Sequence, residues 1–250
     1  MGAAMLAGWR QVGLAASFVV DPAPDAERLA GDGVTVVPNA SLLPPSFLPD
    51  AVILAVKPQV AADAVPRIAG LCGGVVLSIM AGQTVTTIAR LTQASAIVRA
   101  MPNTPAAIGQ GFTGAFAGAG VSLAQRALCD SLLGAIGEVA WLEAEAQLDA
   151  VTATSGSGPA YVFLLTELIA AAAVEQGLSD ALAQRLARRT VCGAGALLAA
   201  GTDDPAAMRR AVTSPGGTTE RALAVLMAEW PDTVSRAIAA AAQRSRELAG

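Results

Sequence analysis

The 250-residue chain predicts a doubly wound, mainly parallel α/β sheet followed by an all-α domain. Three observations carry this. Apolar runs of strand length alternate with helical periods from the amino terminus to about residue 149. Beyond that point no strand can be drawn, and long alanine-rich helical stretches take over. The run 51–56 is apolar throughout, as expected of a strand buried on both faces of a parallel sheet. The change of pattern divides the chain into a first domain, 1–150, and a second, 151–250.

Taken in order, residues 1–11 read as a helix with Met5, Leu6 and Trp9 on one face. Strand 14–20 ends at Asp21, a short helix 25–30 is closed by Gly31, and strand 34–37 leads into a proline-rich loop at Pro44, Pro45 and Pro49. Strand 51–56 runs into Lys57-Pro58-Gln59. The alternation continues with helix 60–69, strand 75–80, helix 85–91, strand 96–100, strand 111–116, helix 123–136 and strand 138–142. In the second domain Ser155-Gly156-Ser157-Gly158-Pro159 reads as a flexible lead-in, with proline at a first helical position. Helix 160–176 stops at Gly177, Ser179 caps helix 180–200, Asp204-Pro205 opens helix 205–211, and helices 220–227 and 232–248 complete the chain. Gly193 and Gly195 inside the long helix each cost up to about 1 kcal/mol relative to alanine. Close approach of another helix would compensate, either within the monomer or across a dimer.

Composition narrows the function. The chain is 54% hydrophobic and 14% charged, but its most apolar helical run, 161–174, is interrupted by Thr166 and Glu167 and is shorter than the roughly 20 residues of a membrane span. It is expected to be a buried helix, with no membrane partner. No basic leader with a cleavage site opens the chain, so the expected location is cytoplasmic. A net charge of −4 with scattered basic residues argues against a nucleic-acid surface. Cys72, Cys129 and Cys192 are odd in number and far apart, which indicates neither a disulfide framework nor a metal site. There is no histidine, so proton transfer falls to a hydroxyl, a carboxylate, water or Lys57, the sole lysine among 16 basic residues.

The stretch that organises the chain is Val212-Thr213-Ser214-Pro215-Gly216-Gly217-Thr218-Thr219. Pro215 removes a backbone donor, the glycines permit a tight turn, and Thr218 and Thr219 stand as hydroxyl caps where a helix begins. Free amides, hydroxyls and a helix dipole there suit a small carboxylate. Elsewhere, Val56-Lys57-Pro58-Gln59, Ala81-Gly82 and the segment from Arg99 to Pro105 follow strands, at the edge where doubly wound sheets hold their ligands. Asp21 lies 19 positions after Gly2, the spacing from the last glycine of a dinucleotide fingerprint to the acid on the adenosine ribose. The first two glycines of that fingerprint are absent.

The loop 212–219 with Ala222-Leu223 resembles the signature of pyrroline-5-carboxylate reductase. The resemblance extends to Ala55-Val56-Lys57-Pro58-Gln59, Ala100-Met101-Pro102-Asn103-Thr104-Pro105 and Ser155-Gly156-Ser157-Gly158-Pro159-Ala160-Tyr161, in the same order along almost the whole chain. It implies a Rossmann domain followed by a helical domain that interlocks in a homodimer or higher homo-oligomer. It also implies reduction of 1-pyrroline-5-carboxylate, a cyclic imino acid, to L-proline by NADPH or NADH, the last step of proline biosynthesis. By the resemblance, Thr219 serves the reacting nitrogen and Ser214, Gly216, Gly217 and Thr218 hold the carboxylate. Gly2, Asp21, Ala55, Val56, Lys57 and Pro58 border the cofactor, with Asn103 near the nicotinamide. Asp21 suits a ribose diol, and Arg28 could reach a 2′-phosphate, so both cofactors are expected to work.

Two departures stand out. Glu220 follows the loop where a less charged residue is expected, although an acid in a first helical turn is locally favourable. The first strand and the front of the phosphate turn are missing, roughly ten residues. A start-site truncation is therefore expected, with two unpaired strand edges in the middle of the sheet. The alternatives are a related imine or hydroxyacid reductase, or a non-catalytic dimeric remnant unable to bind nucleotide.

Overall fold

The computed structural model describes residues 1–249. Two compact units form: residues 1–157 together with the carboxyl-terminal residues from 241, and residues 158–240. The first unit opens with helix α1 (Gly2–Gln11), whose Met5, Leu6 and Trp9 are buried as the helical period requires. Strands β1 (Ser17–Val20) and β2 (Val34–Val37) follow and pair in parallel. The segment between them is a 3₁₀ helix, Pro24–Leu29, rather than an α-helix. Strand β3 (Ala51–Leu54) leads to a short helix α2 (Ala61–Ala64) flanked by 3₁₀ turns, Pro58–Val60 and Val65–Leu71. Pro66 accounts for the shortness of α2, because it can neither donate to residue 62 nor avoid its carbonyl.

Strand β4 (Val75–Ser78), helix α3 (Val85–Thr92), strand β5 (Ile97–Pro102), strand β6 (Gly111–Ala117), helix α4 (Leu123–Gly134) and strand β7 (Gly137–Trp141) complete a five-stranded sheet of order β3-β4-β5-β6-β7. The sheet is mixed. Strands β5 and β6 pair antiparallel, because residues 103–110 are too few for a crossover between parallel neighbours. Every residue of β4 is buried, and its alternation sends Val75 and Leu77 into one apolar cluster and Val76 into the other. The first cluster includes α1 and α4 residues, and the second takes Ala61 of α2 and Ile88 of α3. Cys129 lies fully buried in the first, where burial pushes its thiol up to about 11. Desolvation also raises the Cys72 thiol, so both behave as small apolar groups.

Strands β1 and β2 form a separate two-stranded sheet, so β1 and β3 each keep one edge without a strand partner. This corrects the expectation for 51–56. Only Leu54 of β3 is buried, while Ala51, Val52 and Ile53 are half-buried, because β3 has a neighbour on one side alone.

Past β7 the backbone is helical from Gln147 to Glu175: helix α5 (Gln147–Val151), a π turn (Thr152–Gly156) and helix α6 (Gly158–Glu175). The 155–159 segment is therefore ordered helix rather than a flexible lead-in. The second unit contains α6, α7 (Asp180–Ala200), α8 (Pro205–Ala211) and most of α9 (Thr218–Ala249). Helix α9 is continuous where two helices were expected, with Pro231 inside it. Proline there removes one amide and one helical hydrogen bond but does not end the helix.

Helix α6 is not buried, against the sequence expectation. None of its residues is buried, and Tyr161, Val162, Phe163, Leu164 and Leu168 are all exposed. By length and composition alone, the 29-residue stretch Gln147–Glu175 is long and apolar enough to cross a membrane. The shorter 161–174 run missed this because it stopped at the π turn. Ala183 and Ala187 of α7 are fully buried, one turn apart, where small side chains let α6 and α7 pack together. At Gly193 and Gly195 an added Cβ would meet nothing within 4 Å, so no close contact among the described residues compensates for those glycines.

The carboxyl-terminal turns of α9 pack in the first unit, where the Ser245 hydroxyl donates to Asp149 Oδ1 at 2.6 Å. A second polar tie ends at Arg99 of β5, 8% exposed. Its Nη1 lies 2.7 Å from Glu145 Oε1, which also accepts from the Val85 amide at the start of α3. Glu145→Ala leaves a buried guanidinium and a helix-start amide unpaired, and should cost about 2–4 kcal/mol, less than a fully buried pair because Glu145 is partly exposed. A shift in the urea midpoint measures it; a loss below about 0.5 kcal/mol would show that water replaces the carboxylate.

Candidate functional site

Strands β3, β4 and β5 run parallel, so the segments after Leu54, Ser78 and Pro102 emerge at one carboxyl edge. Ala55 and Lys57 are exposed there, and Val56 and Pro58 are half-buried. Pro58 opens the 3₁₀ turn that follows and keeps Lys57 extended, at φ −66° and ψ 139°. Lys57 forms no ion pair among the described residues.

Gly2 is the first residue of α1 and sits against this edge: an added Cβ would lie 3.0 Å from Ala55 Cβ. The amides of Ala4 and Met5 both donate to Met1 O. Those of Gly2 and Ala3 have no partner among the described residues, as the geometry of a helix start dictates. Two open amides and a positive dipole end thus face the carboxyl end of β3, close to the loop that carries Lys57.

Asp21 follows β1 and is half-buried. Its amide donates to Val37 O at 3.0 Å, and its Oδ1 accepts from the Ala23 amide at 2.9 Å, which fixes the carboxylate at the strand end. Arg28 is paired with Asp25 at 2.7 Å on the exposed face of the following 3₁₀ helix.

Asn103 is bound more tightly than the sequence suggested. Its Oδ1 accepts from the Phe112 amide at 2.9 Å, and its Nδ2 donates to Ser155 Oγ at 3.1 Å. The side chain thereby clamps the start of β6 to the π turn, leaving one N–H and one lone pair for any ligand. Ser155 belongs to the 155–161 motif, but nothing in its spacing marks it as the partner of Asn103.

In the second unit, Ser214, Gly216, Gly217, Thr218 and Thr219 lie together in the turn between α8 and α9. Gly216 has φ +69°, a left-handed conformation that favours glycine. The Gly217 amide donates to Ser214 O at 3.1 Å, and a Cβ on Gly217 would come within 2.5 Å of Ser214 Oγ, so a side chain there would displace the Ser214 hydroxyl. Helix α9 begins at Thr218, which makes Thr218 and Thr219 its first two residues rather than hydroxyl caps. Glu220 reaches back to the turn rather than to a helix amide: its Oε2 accepts from the Gly216 amide, two residues before the helix, at 2.8 Å. Among the described residues the amides of Thr218, Thr219 and Glu220 have no partner, and neither have the hydroxyls of Ser214, Thr218 and Thr219. Thr219 is half-buried, while Ser214 and Thr218 are exposed. The result is a compact group of donors with no cationic side chain paired into it, suited to a small anion with a polar atom beside it.

Comparisons with known proteins agree along the chain. The family model for pyrroline-5-carboxylate reductase dimerisation matches residues 145–248. A pyrroline-5-carboxylate reductase of Pseudomonas aeruginosa is 41% identical over 258 residues, covering 100% of this chain and 93% of that protein. One from Haemophilus influenzae is 33% identical, covering 99% and 94%. The solved structure of a pyrroline-5-carboxylate reductase from Coxiella burnetii superposes with a TM-score of 0.87 at 32% identity, covering 100% of this chain and 95% of that one. The Plasmodium falciparum enzyme, solved with NADP bound, gives 0.83 at 25% identity with the same coverages. With its fold matched end to end, from the mixed sheet to the turn before α9, the chain belongs to the pyrroline-5-carboxylate reductase family.

Proposed function

We propose that the chain reduces 1-pyrroline-5-carboxylate to L-proline with a hydride from NADPH or NADH. The observation that carries this is the stretch 214–220, with three open amides and three hydroxyls unpaired among the described residues, for one carboxylate and one reacting nitrogen. The first unit supports a dinucleotide on its own evidence. The open amides of Gly2 and Ala3 suit a pyrophosphate beside Ala55, Val56, Lys57 and Pro58, and Asp21 has an oxygen left for a ribose diol.

The reduced nicotinamide, when bound, supplies the hydride to the C=N carbon. The chain's own residues do the rest. Ser214, Gly216, Gly217 and Thr218 orient the ring through its carboxylate, so that binding energy fixes the reacting carbon. The hydroxyl of Thr219 holds the ring nitrogen and passes it a proton, which water restores; no histidine exists to take that role. Asn103, held by Phe112 and Ser155, borders the nicotinamide end.

The exposed apolar side chains of α6, with Leu197, Leu198, Val225 and Trp230 on α7 and α9, support a homodimer built on the helical unit. The match to a dimerisation family favours a second copy over lipid as the cover for the Gln147–Glu175 stretch. Both substrates are small and water-soluble, which supports a cytoplasmic location.

Oxidation of NADPH that depends on the imino acid, and not on a carboxylate-free imine or a 2-oxo acid, is the direct assay. Turnover of the other substrates alone would favour a related reductase. In the same assay Thr219→Val should lower kcat by about 10²–10⁴-fold while NADPH binding stays close to wild type. An unchanged kcat removes Thr219 from the proton path. With Asp21 on the ribose, NADH and NADPH should both serve. A preference for NADPH beyond about a hundredfold, nearly 3 kcal/mol, would show that Asp21 faces away from it.

A further inference from the structure

We infer that Glu220 is a built-in competitor for the substrate carboxylate and sets which anions the 214–219 turn accepts, an inference that rests on the reductase reading above. Glu220 is the third residue of α9, and its carboxylate folds back over the first turn to accept from the Gly216 amide at 2.8 Å. That amide is one of the donors the turn would offer a ligand. The positive end of the helix favours negative charge there, and the protein supplies one of its own.

The hold on Glu220 is light. The residue is exposed and forms no ion pair among the described residues, neighbouring Arg221 included. A single exposed hydrogen bond is worth little in water, so an incoming carboxylate can displace the side chain. Displacement leaves two negative charges near one helix start. A monocarboxylate, reaching the open amides of Thr218 and Thr219, is admitted at reduced affinity. A dicarboxylate meets a second repulsion, so the turn selects rings with a single carboxylate. Without Glu220 the turn would bind anions more tightly and less selectively, product included.

The test is calorimetric titration of the full chain with L-proline and with pyrrolidine, its carboxylate-free counterpart. Wild type is compared with Glu220→Gln, which keeps the shape and removes the charge, and with Glu229→Gln, an exposed charge further along α9. The expected result is proline binding tightened about two- to fivefold in Glu220→Gln, no gain in Glu229→Gln, and no change for pyrrolidine. Equal or weaker proline binding in Glu220→Gln overturns the inference. So does an equal gain in Glu229→Gln, which would be a general charge effect, or proline binding by none of the three. Imino-acid reduction is measured in parallel: if wild type reduces nothing, the reductase reading fails while the titration still decides the role of Glu220.

Discussion

An α-helix cannot bond its own first amides, and among the described residues this protein leaves such donors open at the starts of α1 and α9, as it also does at the start of α7. At α1 the open amides are Gly2 and Ala3, and at α9 they are Thr218, Thr219 and Glu220. Helices α4 and α8, by contrast, are closed by Ser122 and Asp204. Exposed amides are hydrated, so keeping them open costs little, and a bound anion displaces only water. The proposed nucleotide and carboxylate sites depend on this one constraint, and glycine is the residue that makes it work. Gly2 allows α1 to approach Ala55, and Gly217 leaves room for Ser214 in the turn.

Around those two points the chain builds rigid supports with ordinary means. Strand β4 is buried along its whole length, and the Arg99–Glu145–Val85 tie fixes β5 to the start of α3. Asn103 links the end of β5, the start of β6 and the π turn. A π turn widens the helix by one residue, and here it brings Ser155 to Asn103 without ending the helical path to Glu175. The second unit has the opposite character, with few buried residues and large apolar side chains facing outward.

Much of this was legible in the sequence. The face of α1, the bounds of α8, the all-helical second half and the glycine turn at 216–217 follow from period, caps and left-handed positions; the bounds of α7 also hold, although Ser179 makes no side-chain cap bond there. What was lost depends on context. The burial of 51–56 was overstated because burial is set by neighbouring strands, and β3 has one. Helix α9 was divided because proline is a local signal, whereas the helix is held together by turns on both sides of Pro231. The apolarity of α6 reads as a core inside the chain, yet none of its residues is buried, since composition alone does not fix burial. At the site the donors were found, but their present partners were not. That Asn103 would be held by Ser155, and Gly216 by Glu220, is a matter of distance rather than pattern.

The central claim is that the open amides at the start of α9 receive the carboxylate of the substrate. A crystal structure of the full chain with L-proline bound tests it most directly. The account predicts the proline carboxylate about 3 Å from the amide nitrogens of Thr218 and Thr219, with the ring nitrogen at the Thr219 hydroxyl. Proline bound with its carboxylate on Lys57 or at the start of α1, and the turn before α9 left to water, would contradict it.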